Sequence, residues 1–328
     1  MAARLGIGRG FRVIDLAITN ECNLFCHHCS AEGLNDGEAA ALSLADYKHI
    51  VRQGRLLDTL SWNITGGEPL LVDWIEDLIP ILEPKRHYIS IQTNCLLLSK
   101  EKARELARLG VNCITTSIDS ADEYQHDTFR GCEGVFEKVF EGIKNAKASG
   151  MQVLVGATIT HGYLYSSALI RLIRMVNRAG AMFLFNLAVP CGRWANRSDI
   201  LITEQDRDYL CQLLDRYPMT STDHEVGRNK IGCPAGMEKI YITRTGEVLP
   251  CPFIHVSFGN CMQTSLAGIV QRMQKVPAFR KYQKICIAAE DRRFHRDVFS
   301  KIYNGENMAR PVSYLDIFPE YFTDPEGK

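Results

Sequence analysis

Short apolar segments rich in β-branched residues alternate with longer amphipathic segments over the first two thirds of this 328-residue chain. The short segments predict strands, and the longer ones, with apolar residues three and four positions apart, predict helices. Such alternation favours parallel pairing through right-handed crossovers, in a sheet buried on both faces. The predicted strands are 13–19, 61–65, 88–93, 113–118, 152–160 and 183–188, and the predicted helices are 44–57, 74–82, 100–109, 135–148 and 167–179.

Six strands are enough for the sheet to curl, so we predict an α/β fold built on a partial (β/α)6 TIM-like barrel. After Pro190 the pattern changes to a long connection, followed by two short strands around Thr245-Gly246 and a Pro250-Cys251-Pro252 run. We therefore predict a barrel domain at 1–190, and a linker with a small C-terminal α+β module at 191–328.

Composition disfavours several classes of partner. Lys plus Arg and Asp plus Glu both number 38, which disfavours nucleic acid and anionic lipid as partners. No apolar run approaches the roughly 18 residues that cross a bilayer, and residues 1–10 lack the apolar core of a secretory signal. We therefore expect a cytoplasmic protein. In that compartment its 12 cysteines would serve as metal ligands and buried thiols.

Three closely spaced cysteines, Cys22, Cys26 and Cys29, follow the first predicted strand. In barrels of this type the loops after the strands carry the functional residues. Three thiolates can hold a four-iron cubane and leave one iron open to another ligand. A zinc site with His27 or His28 as the fourth ligand is the alternative.

The segment Gly66-Gly67-Glu68-Pro69 follows the second predicted strand. Adjacent glycines let the backbone approach a ligand closely, and a carboxylate can accept hydrogen bonds from an ammonium group. An ordinary turn from strand to helix is the alternative interpretation.

Together, the two motifs resemble the radical S-adenosylmethionine (SAM) enzyme family over about residues 12–190. The resemblance implies that Cys22, Cys26 and Cys29 hold a 4Fe-4S cluster, and that SAM chelates its open iron. It also implies that SAM is cleaved reductively to a 5'-deoxyadenosyl radical, which abstracts a hydrogen atom from the substrate. No side chain is then certain to be catalytic, and an external electron donor of the flavodoxin or ferredoxin type is expected.

Further SAM contacts are implied by the same resemblance. Phe25 is expected near the adenine, Arg130 at the SAM carboxylate, and the Gly66 to Pro69 segment at the methionine ammonium. Strand-end turns, loop packing and a surface salt bridge are the alternatives for the weaker matches. The predicted SAM-binding residues are Phe25, Gly66, Gly67, Glu68, Pro69, Asn94, Ser117, Asp119, Arg130, Thr158 and Leu187.

The spacing of Cys233, Gly246 and Cys251 resembles the opening of the SPASM domain, which binds auxiliary 4Fe-4S clusters in many radical SAM enzymes. A full SPASM domain has a dense run of further cysteines, and this chain does not. The shortened form, called twitch, with one auxiliary cluster is therefore favoured, with Cys233, Cys251, Cys261 and Cys286 as candidate ligands. A structural zinc site or unconnected buried thiols are the alternatives.

The substrate is less constrained than the cofactor. Only about 11 residues precede the first predicted strand, whereas enzymes that modify ribosomally made peptides commonly carry a leader-binding domain there. This favours a small molecule such as a sugar, an aminocyclitol or a nucleoside, with peptide maturation as the alternative. A hypothesis of another class is a non-enzymatic zinc or iron-sulfur protein. Cys132 and Cys191, near predicted strand ends, are candidate hydrogen-atom donors.

Overall fold

The structure, a computed structural model, describes residues 11–34, 39–222, 232–303 and 311–322. The strands are β1 (Val13–Ala17), β2 (Ser61–Thr65), β3 (Tyr88–Gln92), β4 (Cys113–Ser117), β5 (Gln152–Ile159), β6 (Met182–Leu187), β7 (Thr220–Thr222), β8 (Lys239–Ile242), β9 (Val248–Leu249), β10 (Val256–Ser257) and β11 (Val312–Ser313). The α-helices are α1 (Leu44–Leu56), α2 (Ile75–Ile81), α3 (Lys100–Leu109), α4 (Glu123–Arg130), α5 (Val135–Ala148), α6 (His161–Leu164), α7 (Ser167–Arg178), α8 (Glu204–Arg216), α9 (Leu266–Met273), α10 (Arg292–Phe294), α11 (Ser300–Tyr303) and α12 (Tyr314–Ile317).

A nine-stranded sheet forms the wall of the barrel, in the order β7-β6-β5-β4-β3-β2-β1-β8-β9. Neighbouring strands pair in parallel except β8 and β9, which form an antiparallel hairpin. Strands β1 to β6 follow one another in chain order with helices between them, so the predicted partial (β/α)6 TIM-like barrel is confirmed. Strands β10 and β11 pair separately in the C-terminal part.

Local sequence signals set the helix ends. Ser43 caps α1, since its side chain accepts a hydrogen bond from the Asp46 N–H while the Asp46 carboxylate accepts one from the Ser43 N–H. Gly110 ends α3 at φ +103°, a left-handed conformation that costs glycine little. These signals explain why the predicted bounds of α1 and α3 agree with the structure to within one residue.

Helix α8 and strand β7 were not predicted, because residues after Pro190 were interpreted as a long connection. Helix α8 begins at a capping box in which Thr203 and Asp206 bond reciprocally, the same signal that marks α1. Strand β7 has only three residues, too few for a visible periodicity, and it pairs with β6. The barrel therefore continues by one helix and one strand beyond the predicted six.

The inner face of the barrel is polar, so the predicted burial of the sheet on both faces is wrong. In β2, Trp62 and Ile64 are fully buried, whereas Asn63 between them is partly exposed. In β3, Ser90 is likewise partly exposed between buried isoleucines. Because alternate side chains of a strand point to opposite faces, one face packs under the helices and the other lines an open lumen.

Large side chains fill the layer between sheet and helices. Trp62 of β2 and Tyr47 of α1 are almost completely buried there. Gly54 of α1 makes room for the indole, since a Cβ at residue 54 would lie 2.6 Å from the Trp62 ring. Within the described ranges, no helix is both long enough and apolar enough to cross a membrane.

The C-terminal part of the chain joins the barrel sheet through β8. Val13 of β1 pairs with Lys239 of β8, and the N–H groups of Arg12 and Val13 both donate to the Glu238 carbonyl, at 2.9 and 3.1 Å. Strand β1 therefore has neighbours on both edges, and the loop after it leaves from inside the sheet. The division of the chain at residue 190 stays a prediction from sequence pattern.

Candidate active site

Cys22, Cys26 and Cys29 lie on the loop after β1 and border a cavity of about 390 Å³. The Arg193 guanidinium donates to the Cys26 carbonyl at 2.9 Å, and the Arg193 N–H donates to the Cys29 carbonyl at 3.0 Å. Burial raises the pKa of the Cys22 and Cys29 thiols. A bound cationic metal centre is therefore needed to keep them as thiolates at neutral pH, and three free thiols around one cavity suit an iron-sulfur cluster.

The loop of Gly66 and Gly67 packs directly behind the cysteine loop. A Cβ on Gly66, which has φ +134°, would lie 2.2 Å from the Thr19 carbonyl oxygen, and a Cβ on Gly67 would lie 2.0 Å from that of Glu21. The Gly67 N–H donates to Thr19 at 2.8 Å, and the Glu68 N–H donates to Glu21 at 2.7 Å. Only residues without a side chain fit this contact, which fixes one loop against the other.

Glu68 is 1% exposed, and its carboxylate is occupied by the protein itself. One oxygen accepts hydrogen bonds from the Thr93 hydroxyl at 2.7 Å and the Leu70 N–H at 3.0 Å, and the other from the Asn94 N–H at 2.7 Å. Burial raises the pKa of Glu68 despite these donors. The carboxylate thus joins the ends of β2 and β3. The next residue, Pro69, begins a short 3-10 helix, Pro69–Leu71, that leads away from the cavity wall.

Asp119 and Arg130 form a buried ion pair beside the cavity. The Arg130 Nε and a terminal nitrogen donate to one Asp119 oxygen at 2.8 and 2.5 Å, and the other oxygen accepts from the Thr158 N–H at 3.0 Å. Burial alone would raise the pKa of Asp119, but the guanidinium and nearby donors outweigh it and lower the pKa. The remaining Arg130 nitrogen lies 3.7 Å from Cys26 Sγ. The pair therefore supports the cysteine loop and leaves one guanidinium edge toward the cavity.

Arg193 is a cavity residue that the sequence analysis missed. Its guanidinium carbon lies 3.2 Å from the centre of the Phe25 ring, a cation-π contact. Phe25 is 66% exposed, so the arginine covers one face of the ring and leaves the other accessible. No local motif marks Arg193, because it follows β6 and reaches the cysteine loop only through the fold.

Most of the predicted SAM-binding residues come together around the 390 Å³ cavity. Two of them do not border it: Pro69, which is buried, and Asp119, which lies behind Arg130. The predicted residues that border the cavity are Cys22, Phe25, Cys26, Cys29, Gly66, Gly67, Glu68, Asn94, Ser117, Arg130, Thr158 and Leu187.

The barrel lumen forms a second cavity of about 540 Å³. The Asn63 amide donates to Asp15 at 2.9 Å, the Ser90 hydroxyl donates to Asn63 at 2.9 Å, and Lys239 Nζ lies 3.4 Å from the other Asp15 oxygen. The two cavities meet, because several residues border both: Ser30, Ala31, Gly66, Gln92, Ser117, Asn186 and Phe253. A molecule in the lumen would therefore lie next to whatever occupies the cysteine cavity.

The histidines of the cysteine loop pack against aromatic rings. His28 stacks on Phe129 with 4.5 Å between ring centroids, and burial lowers its pKa to about 4. His27 meets the edge of the same ring at 6.0 Å. Among the described residues, no three His, Cys, Asp or Glu side chains are placed to hold a single metal ion. A cubane binds thiolates at separate corners, so this wider placement suits a cluster better than zinc.

The candidate auxiliary ligands divide into two groups. The Cys233 and Cys251 thiols are buried and interact electrostatically with each other. The Cys233 N–H donates to the Gln283 carbonyl at 2.9 Å, which brings the segment of Cys286 alongside. Cys261 faces elsewhere: Glu247 and Asp46 are the charged neighbours of its thiol.

Two family models match the chain. Residues 16–171 match the radical SAM superfamily, and residues 233–290 match SPASM, an iron-sulfur cluster-binding domain. Among curated relatives, an AdoMet-dependent heme synthase of Nitratidesulfovibrio vulgaris is 25% identical and covers 91% of this chain and 90% of its own. A probable GTP 3',8-cyclase of Archaeoglobus fulgidus is 36% identical but covers only 44% of this chain and 47% of its own.

Solved structures share the fold at low identity. Streptococcus suis SuiB bound to S-adenosylmethionine has a TM-score of 0.64 at 18% identity, covering 82% of this chain and 67% of SuiB. Native anSMEcpe with bound AdoMet has a TM-score of 0.61 at 16% identity, covering 94% of this chain and 95% of the other.

The chain thus contains a radical SAM domain at residues 16–171 and a SPASM iron-sulfur cluster-binding domain at residues 233–290. It is therefore an enzyme, and the hypothesis of a non-enzymatic metal-binding protein is wrong. Its radical SAM domain binds a 4Fe-4S cluster with SAM, and its SPASM domain binds auxiliary iron-sulfur.

Proposed function

We propose that this enzyme uses SAM-derived radical chemistry to oxidise, decarboxylate, dehydrate or epimerise a small polar molecule such as a sugar, an aminocyclitol or a nucleoside. When bound, SAM and its cluster supply a 5'-deoxyadenosyl radical that takes a hydrogen atom from the substrate. The side chains of this chain bind and orient the two partners and exclude water.

We assign the SAM cluster to Cys22, Cys26 and Cys29, and SAM itself to the cavity that they border. The Glu68 carboxylate accepts three hydrogen bonds from the protein and so holds the glycine loop, and because it borders the cavity and keeps one acceptor position on its second oxygen, it also suits the SAM ammonium. The Arg130 nitrogen near Cys26 Sγ borders the cavity and suits the SAM carboxylate, and the open face of Phe25 suits the adenine.

The polar lumen is the observation that carries the substrate assignment. About half of its lining residues carry hydroxyl or amide side chains, its lysine is paired with Asp15, and its arginine, Arg12, is paired with Glu238, so it offers hydrogen bonds without a strong net charge. Such a surface suits a neutral polyhydroxylated molecule, since each hydroxyl group can find a donor or an acceptor. The lumen also adjoins the SAM cavity, as hydrogen abstraction requires.

A step of heme synthesis is the second candidate. The heme synthases of Nitratidesulfovibrio vulgaris and Methanosarcina barkeri match 91% and 86% of this chain, so the likeness includes the C-terminal part as well as the barrel. A porphyrin substrate would need both the lumen and its opening, because it is large and flat. Peptide maturation remains the third candidate, and the likeness to SuiB bears on the fold alone.

Substrate stimulation of SAM cleavage distinguishes these candidates. The anaerobically reconstituted enzyme, reduced with dithionite, should release 5'-deoxyadenosine faster with sugars, aminocyclitols or nucleosides than with iron porphyrins or precursor peptides. Stimulation by a porphyrin alone, with a shift of its Soret band on binding, would establish the second candidate. No 5'-deoxyadenosine under any condition would refute the SAM assignment.

A lumen variant locates the substrate. Ser90→Phe places a ring in the lumen, so we expect the stimulation to be lost while unstimulated SAM cleavage continues. Ser167→Phe is the matched control, because Ser167 is exposed at the start of α7, outside the barrel. If Ser90→Phe keeps full stimulation, the substrate does not enter the lumen.

We further propose that a flavodoxin or ferredoxin supplies the electron and that the enzyme works in the cytoplasm. All 12 cysteines lie in the described ranges and none forms a disulfide there, which is the state that a reducing compartment maintains. Reduction of the cluster by a purified flavodoxin system, followed by electron paramagnetic resonance (EPR), tests the electron donor.

A further inference from the structure

Cys261 is poorly placed to share a cluster with the other C-terminal cysteines. Its N–H donates to the Gly246 carbonyl at 2.8 Å, and its carbonyl accepts from the Gln53 side chain of α1 at 3.2 Å. The thiol is buried, with Glu247 and Asp46 as its charged neighbours. The SPASM part alone therefore offers Cys233, Cys251 and Cys286.

A further thiol approaches this group from the barrel. Cys191 follows β6, is 1% exposed, and borders the SAM cavity. Its electrostatic partners among the thiols are Cys251 first and Cys29 second. Cys191 thus lies near one cysteine of the cysteine loop and one of the SPASM domain.

The backbone around Cys191 is fixed on both sides. The Arg193 N–H donates to the Cys29 carbonyl at 3.0 Å, and Gly192, at φ +56°, comes so close that a Cβ would lie 2.1 Å from the same oxygen. Tyr303 contacts the Cys191 thiol through its hydroxyl, which also lies 3.1 Å from His255 Nδ1. The thiol therefore has a defined position in a packed, water-poor setting.

A residue that follows Cys251 in the chain also contacts Tyr303. The His255 ring bonds through Nε2 to the Pro252 carbonyl at 3.2 Å, and the Ile254 N–H donates to the Cys251 carbonyl at 3.3 Å. Tyr303 and His255 thus join the turn that carries Cys251 to the loop that carries Cys191. Both thiols belong to one rigid assembly, although 60 positions separate them in sequence.

We propose that Cys191 is the fourth ligand of the auxiliary cluster, together with Cys233, Cys251 and Cys286. This rests on the SPASM domain holding one 4Fe-4S cluster, as proposed from the sequence. A four-thiolate set closes every iron to substrate, so the cluster would transfer electrons and not bind the substrate. Because Cys191 also borders the SAM cavity, the cluster would lie within electron-transfer reach of a substrate radical.

The test uses the full chain in a background that lacks the first cluster, with Cys22, Cys26 and Cys29 all changed to alanine. After anaerobic reconstitution we expect about four irons per chain, and after one-electron reduction with dithionite one cubane EPR signal. Adding Cys191→Ala should open one iron, so that cyanide shifts the EPR signal and mild oxidation gives a three-iron signal. Cys191→Ser should keep four irons but shift the g values, because oxygen replaces sulfur.

Cys261→Ala is the competing variant, and Cys211→Ala is the control, since Cys211 is exposed on α8. Both should keep the background spectrum and its insensitivity to cyanide. If Cys261→Ala opens the cluster and Cys191→Ala does not, the ligand set is the one predicted from sequence and the proposal is wrong. A cyanide-sensitive cluster in the background itself also overturns it, since the site would then have three ligands. No iron in the background would refute the auxiliary cluster itself, which is a separate outcome.

Discussion

Replacing Gly67 with alanine tests how closely the glycine loop must pack behind the cysteine loop. The new Cβ would lie 2.0 Å from the Glu21 carbonyl oxygen, whereas ordinary contact begins near 3.4 Å. The loops must therefore separate by about 1.4 Å, and overpacking of this kind costs about 1–3 kcal/mol. The same movement stretches the 2.8 Å bond from Gly67 to Thr19 and the 2.7 Å bond from Glu68 to Glu21, each worth about 1 kcal/mol net.

We expect Gly67→Ala to lower the free energy of unfolding of the cluster-free protein by about 3 kcal/mol. Urea unfolding followed by circular dichroism measures it. Since Glu21 directly precedes Cys22, the displaced loop should also hold less iron after reconstitution and gel filtration. The SAM-dependent change in the EPR signal should fall with the iron content.

Gly162→Ala is the matched control, because a Cβ on Gly162 of α6 meets no atom within 4 Å. It should leave stability within about 0.5 kcal/mol of the parent and leave the iron content unchanged. A Gly67→Ala variant that behaves like this control would refute the reasoning, since the two loops could then separate freely.

Three further outcomes follow from the site. Asp119→Asn should lower the free energy of unfolding by about 3 kcal/mol, because it leaves Arg130 buried without its partner. Since the pKa of Asp119 is lowered in the folded protein, this loss of stability should be largest above the unfolded pKa near 3.8 and should shrink as the pH falls through the folded pKa. Urea unfolding at several pH values measures it. Arg193→Lys should weaken SAM binding in calorimetry by about tenfold, because an ammonium group cannot both cover Phe25 and bond the loop. Arg197→Lys is the control and should leave SAM binding unchanged, because Arg197 is exposed and paired with Asp199. Chelation should remove iron in two phases, the fast one from the exposed Cys22 site and the slow one from the buried auxiliary thiols, and a single phase would contradict this.

Features that depend on neighbouring residues in the chain could be predicted from the sequence. The spacing of apolar residues located β1 to β6 within two residues at each end. The cysteine loop and the glycine loop follow consecutive paired strands, β1 and β2, so parallel pairing was enough to bring them together. The same reasoning placed Ser117 and Thr158 on the cavity wall, at the ends of β4 and β5.

Features that depend on chain segments far apart could not be predicted. Arg193 covers Phe25 although 168 positions separate them, and no motif marks either residue. Glu68 borders the cavity as expected, but its hydrogen bonds to Thr93 and Asn94, which join the ends of β2 and β3, could not be predicted from its own segment. The polarity of the lumen was missed as well. One polar residue within an apolar strand has no clear meaning by itself, and only the paired strands show that such residues share one face of the sheet.

Strand β1 connects the two iron-sulfur regions mechanically. Its outgoing loop carries Cys22, and its edge opposite β2 pairs with β8, which follows Cys233 by only a few residues. The Lys239 ammonium of β8 lies 3.4 Å from Asp15 of β1, inside the lumen. A shift of β8 along β1 would therefore move the auxiliary site and the lumen together relative to the SAM cavity. Parallel pairing over four residues opposes that shift, so the barrel fixes the segment that follows Cys233, and a substrate bound in the lumen, as we propose, would lie against a wall that both parts of the chain build.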